Sequence, residues 1–163
     1  MRKQPTSRMC FVCGRENPVG LKLHFYENHQ ANQVRADFVI PDAYQGYPGV
    51  AHGGIVSTVL DEVSGRAMMM ETAGEQLLVT LRMTVRFRQP TPTESPLTAV
   101  GWVERASGVG AKVAGEVRLP DGTVTATCES LLVEPPDAFK ERWGEEKPYW
   151  SVREEGRRPD ERL

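Results

Sequence analysis

Residues 49–62 read GVAHGGIVSTVLDE, a histidine and two glycines followed seven residues on by two carboxylates. If the glycines open a helix, that end carries backbone N–H donors no earlier turn can satisfy and the positive end of the helix dipole. Glycine lets a ligand approach those donors closely, and the chemistry they suit is an acyl carbonyl gaining negative charge as it is attacked. The same glycines serve equally well to let a helix pack tightly on a sheet. Asp61 and Glu62 are adjacent, so they project about 100° apart and do not share a role. Asp61 has Ser57, Ser64 and Gly65 on its side, small residues that leave room beside a carboxylate for substrate or water. Glu62 has Arg66 one turn later, an i,i+4 ion pair of the kind found on surfaces. Chemistry is therefore assigned to Asp61 and structure to Glu62.

These residues must be held by the elements around them. Val56, Val59, Leu60, Val63, Ala67 and Met70 recur at helical spacing, which predicts a helix from Gly54 to about Met70 with a stop at Gly74. The irregular stretch PDAYQGYPGVA, residues 41–51, leads into it. On either side the apolar period is two. Leu21, Leu23 and Phe25 alternate with polar residues, as do Val34, Ala36, Phe38 and Ile40, with a polar turn at 27–32 between the two runs. After the helix, Leu81, Met83, Val85 and Phe87 alternate with Arg82, Thr84, Arg86 and Arg88 until Pro90 and Pro92 end the strand. Strands follow at 97–104, 109–119 and 124–132, separated by turns at Ser107-Gly108 and Asp121-Gly122. Two strands, one helix and four strands make an α+β fold, with the helix as the second layer of the core on about six antiparallel strands. The main domain is expected over 21–134, after an N-terminal segment 1–20 and before a charged, proline-bearing tail 135–163 in which Trp143, Tyr149 and Trp150 stand out.

Composition narrows the possibilities. A chain of 163 residues, 39% hydrophobic, builds one ordinary core. Twenty basic and 22 acidic side chains give a formal charge of -2, so no global field selects nucleic acid or an anionic membrane. No apolar run reaches the length of a signal peptide or a membrane span, which predicts a cytoplasmic protein. Three cysteines in such a chain are expected to be reduced. Cys10 and Cys13 form a CxxC, but a structural zinc site takes about four ligands. The other thiol and imidazole groups, Cys128, His24, His29 and His52, supply no second motif, so no metal or other cofactor is expected.

The loop, the HGG, the acid nine residues after the histidine, and the strand VTLRMTVRFRQPTP together resemble the hot-dog-fold thioesterases of the phenylacetate-degradation and 4-hydroxybenzoyl-CoA types. The opening CFVCGRENPVGLKLHF resembles the first-strand region of many bacterial members, and the resemblance covers most of residues 10–134. It implies a hot-dog fold, an acyl-CoA substrate and a homodimer or a tetramer built as a dimer of dimers. It implies that the Gly53 amide polarises the thioester carbonyl, that His52 shapes the pocket, and that Asp61 is nucleophile or general base for water. Thr80 matches a position where some relatives carry a serine that helps place the water; an ordinary strand threonine fits it as well. Gly54 and Ser57 border the same pocket. Some relatives have an asparagine where this chain has Gly46, so either Gln45 substitutes or the reaction is arranged differently. The CoA phosphates need local cations, for which Arg82, Arg86 and Arg88 are candidates.

Distance adds a requirement. Gly53 and Asp61 lie eight residues apart, about 12 Å along a helix axis, so one carbonyl cannot touch both and the acid must come from a second copy. The competing readings are an acyl-CoA-binding hot-dog protein without turnover, and a hot-dog dehydratase or hydratase whose proline-rich histidine motif is absent here.

Overall fold

The computed structural model describes residues 1–72 and 76–152; the expected helix stop at Gly74 and the end of the tail, 153–163, lie outside the described residues. In chain order the elements are β1 (Arg2–Lys3), β2 (Tyr26–Asn28), β3 (Gln33–Phe38), β4 (Gln45–Tyr47), β5 (Val50–Ala51), α1 (Gly53–Thr72), β6 (Val79–Phe87), β7 (Leu97–Ser107), β8 (Gly110–Arg118), β9 (Val124–Val133) and α2 (Asp137–Glu146). Seven strands form one antiparallel sheet in the order β1-β2-β3-β7-β8-β9-β6, and β4 with β5 makes a separate two-stranded ribbon. One long helix on one antiparallel sheet is the hot-dog arrangement expected from the sequence, with one strand more than the six anticipated.

The helix lies on the sheet because its apolar stripe has no other place to go. Val56, Val59, Leu60, Val63 and Ala67 are almost fully buried against Val34, Ala36, Leu97, Ala99, Val117 and Ala126. Burying each large aliphatic side chain stabilises the fold by roughly 1.5–3 kcal/mol. Gly101 on β7 permits the close approach: a Cβ there would lie 2.3 Å from the Val63 carbonyl oxygen. Met68 is the buried methionine of its run, while Met70 is only partly buried.

Two strands differ from the expected pattern, each for a local reason. The run at 21–25 buries Leu23 and Phe25 as alternation requires, yet the strand itself is Tyr26–Asn28. The Leu21 and Leu23 N–H groups donate to the Phe11 and Val12 carbonyls, and Lys22 sits at φ 55, outside the extended region. On β6, Leu81 was expected inside with Met83 and Val85, but it is 64% exposed. Thr80 pairs with Leu132 and Arg82 with Leu131, so Leu81 is the extra residue of a β-bulge. The bulge shifts the alternation by one residue and puts Thr80 on the helix-facing side with Met83 and Val85.

The two flanking segments pack on this unit. Residues 1–20 give Val12 and Cys13 to the core, and Gln4, Thr6 and Ser7 are buried. Residues 135–152 fold back through α2 and a 3-10 turn at Lys147–Tyr149, and Thr6 and Ser151 exchange backbone hydrogen bonds of 3.1 and 3.4 Å. Arg15 Nη2 donates to the Tyr149 carbonyl at 2.6 Å, and the Arg8 guanidinium lies 4.2 Å from the Tyr149 ring centre.

Candidate active site

His52 caps α1. Its carbonyl accepts from the Ile55 and Val56 N–H groups at 2.9 and 3.2 Å, and its Nδ1 accepts from the Gly54 N–H at 3.0 Å. Accepting at Nδ1 places the ring proton on Nε2. These bonds occupy the Gly54, Ile55 and Val56 donors and leave the Gly53 N–H as the open donor of the first turn among the described residues. Gly54 thus serves the cap: a Cβ there would meet His52 Nδ1 at 3.0 Å. Gly46 packs beside the same histidine, 3.3 Å from its Cα when given a Cβ, and the His52 N–H donates to the Tyr44 carbonyl at 2.9 Å. Gln45 is exposed on β4, one residue from this packing.

A cavity of about 590 Å³ opens over this helix end, lined among others by Gly46, His52, Gly53, Phe87 and Arg88. The Phe87 ring lies over Gly53, 3.2 Å from where a Cβ would stand. Arg88 is the one of the three candidate arginines that lines this cavity; Arg82 and Arg86 are exposed on the same strand and line neither this cavity nor the one at Asp61.

Asp61 sits two turns further along α1. Its Oδ1 accepts a 2.7 Å hydrogen bond from Thr80 Oγ1, made possible by the bulge on β6. Burial pushes the Asp61 carboxyl above the ordinary carboxylate value; the Thr80 bond pulls it down, and the neighbouring Glu62 charge pushes it up again. A second cavity, about 750 Å³, is lined by Asp61, Gly65, Met68, Met69 and Thr80 and by Trp143, Lys147 and Trp150 of the C-terminal segment. The two cavities have no lining residue in common. Ser57 lies outside both, its hydroxyl donating to the Gly53 carbonyl at 2.8 Å.

Glu62 and Arg66 also line the Asp61 cavity, and the ion pair between them is not a surface one. Arg66 Nε lies 2.7 Å from Glu62 Oε1, with the arginine side chain 3% exposed and the glutamate 22%. The guanidinium is held 4.2 Å from the Phe25 ring centre and 5.2 Å from that of Trp150, and donates to the Pro5 carbonyl at 2.9 Å. The apolar environment comes from the N-terminal and C-terminal segments, which an i,i+4 count on the helix does not register.

Residues 48–126 match the model of the thioesterase superfamily. They form a thioesterase-superfamily domain of the hot-dog fold. A thioesterase superfamily protein of known crystal structure is 32% identical over 77% of this chain, with a TM-score of 0.70, and the chain spans 63% of that protein's length. A phenylacetic acid degradation-related protein from Ralstonia eutropha is 23% identical over 69% of this chain and 85% of its own, with a TM-score of 0.62. The PaaI protein of the E. coli phenylacetic acid degradation operon shares the fold at 14% identity over 71% of this chain and 81% of its own, again at 0.62. No curated protein matches the chain significantly. The matched stretch carries both halves of the candidate site of this hot-dog domain, His52 and Gly53 at one end of α1 and Asp61 with Thr80 further along. Phe87 and the lining residues Trp143, Lys147 and Trp150 were not read as site residues from the sequence; two tryptophans in a charged tail were the available signal.

Proposed function

We propose that the protein hydrolyses an acyl-CoA thioester to the free acid and CoA, in sites assembled from two copies of the chain. The observation that carries this reading is Asp61, a carboxylate held by Thr80 at 2.7 Å in a cavity of its own, on the same helix as an open Gly53 N–H that faces a different cavity. The thioester oxygen of a substrate bound to one chain accepts from that chain's Gly53 N–H. Asp61 of the other chain takes a proton from a water molecule as its oxygen attacks the carbonyl carbon, and the Gly53 donor stabilises the resulting oxyanion. Collapse breaks the C–S bond, and the proton held by Asp61 passes to the departing CoA sulfur. Direct attack by Asp61 followed by hydrolysis of the mixed anhydride uses the same groups.

The second copy is expected along β6. Among the described residues β6 pairs only with β9, and its free edge exposes Leu81 and Phe87. Pairing there brings two α1 helices side by side and antiparallel, which sets Gly53 of each against Asp61 of the other. Arg88, beside the Gly53 cavity, is the cation best placed for a CoA phosphate. The test is thiol release from short, medium, long and aryl acyl-CoAs by the purified protein. Release from at least one class supports the reading, whereas binding without release across the panel favours an acyl-CoA-binding protein.

A further inference from the structure

Beside the Asp61 cavity, which Glu62 also lines, the chain brings two thiols and a carboxylate together. Cys10 Sγ, Cys13 Sγ and a carboxylate oxygen of Glu62 all lie within 4.8 Å of one another. We propose that this cluster binds a zinc ion that ties the N-terminal CxxC turn to α1, one residue from Asp61.

Four observations support it. Zinc bonds of about 2.3 Å to sulfur and 2.0 Å to oxygen, at tetrahedral angles, require S···O near 3.5 Å. Cys10 Sγ and Glu62 Oε2 already stand 3.8 Å apart. The turn is also shaped for a thiolate, because the Val12 and Cys13 N–H groups both point at Cys10 Sγ, at 3.3 and 3.5 Å. The carboxylate oxygens are divided: Oε1 is held by Arg66 Nε at 2.7 Å, and Oε2 is the one that faces the sulfur. Such a second bond to the far oxygen is how ligand carboxylates are oriented at metal sites. Finally, the charges balance. Two thiolates and a carboxylate exceed the charge of Zn²⁺ by one, and the Arg66 guanidinium supplies the remaining positive charge.

Cys13 is buried and Cys10 partly exposed, so the fourth position falls to a water molecule on the Cys10 side. Soft sulfur donors with one carboxylate favour zinc over magnesium or calcium. Spacing along the chain could not reveal this site, since Glu62 lies 52 residues beyond Cys10 and joins it only through the fold.

The experiment is metal analysis of the full-length chain, reduced, incubated with zinc sulfate and desalted. About one zinc per chain is expected, with the content of Cys13→Ser and Cys10→Ser at least roughly tenfold lower and that of Cys128→Ser unchanged. Cys128 is the control because its sulfur sits against the Leu60 carbonyl at 3.7 Å, outside the cluster. Cobalt(II) added to the metal-free wild-type chain gives an independent reading that needs no variant to fold: bound thiolates produce an intense near-ultraviolet charge-transfer band. Wild-type zinc below roughly half an equivalent, zinc retained by soluble Cys13→Ser, or a cobalt complex without the thiolate band each overturn the proposal.

Discussion

Mixing Asp61→Asn chains with Gly53→Pro chains tests whether the carbonyl donor and the acid act from different subunits. Proline suits the first position of α1, where it removes the one open N–H without breaking a helical bond. Its ring meets Phe87 on the β6 edge, so folding and dimerisation of Gly53→Pro are verified first by circular dichroism and native mass spectrometry. Each parent homodimer loses one essential group at both sites. Removing a general base costs about 10²- to 10⁴-fold, and removing an oxyanion donor about 10²- to 10³-fold. Random reassortment of equal amounts makes half the dimers hybrid, and each hybrid has one site with both defects and one with neither. Half of the dimers times half of the sites gives about a quarter of the wild-type rate at equal total chain, at least roughly 25-fold above either parent. The assay is thiol release after co-refolding differently tagged chains, with the hybrid fraction measured by native mass spectrometry. Verified hybrids no more active than the mean of the parents refute the two-chain arrangement.

Further expectations concern single residues. Thr80→Val removes the bond that holds the Asp61 carboxyl below the value burial alone would give, so the carboxyl titrates at higher pH. A base is lost as pH falls through its pKa, and the acid limb of the kcat/KM profile therefore moves up; a limb that stays or moves down contradicts the assignment. Glu62→Gln leaves the Arg66 charge buried with only neutral partners and lowers stability by roughly 3 kcal/mol in urea unfolding, with kcat changed only a few-fold. Gly101→Ala forces a methyl group to within 2.3 Å of the Val63 carbonyl, so Tm falls by several degrees as α1 lifts from β7; an unchanged Tm means the close approach is not tight in solution.

Much of this architecture can be read from periodicity. The stripe from Val56 to Ala67 fixes both the existence of α1 and the face it buries, and the alternation along β7, β8 and β9 fixes which of their residues meet it. The i,i+4 pairing of Glu62 with Arg66 follows from helical geometry, but that geometry does not separate the two carboxylates into different cavities. Three features are not legible, because each depends on contacts distant in sequence. The bulge at Leu81 is set by pairing with β9, and without it Thr80 would face away from Asp61 with Arg82. The burial of Arg66 comes from Phe25 and Trp150, neither of them near it along the chain. The wall that Trp143, Lys147 and Trp150 build beside Asp61 belongs to a segment whose charge and prolines read as a tail.

The most direct test of the central claim compares wild-type and Asp61→Asn protein in the acyl-CoA thiol-release panel. The substitution removes the anion and little volume, and circular dichroism checks that the fold is kept. The wild-type chain is expected to release CoA from at least one acyl class, and kcat is expected to fall by about 10²-fold or more in Asp61→Asn. A folded Asp61→Asn protein that hydrolyses the same thioester at the wild-type rate would contradict the claim.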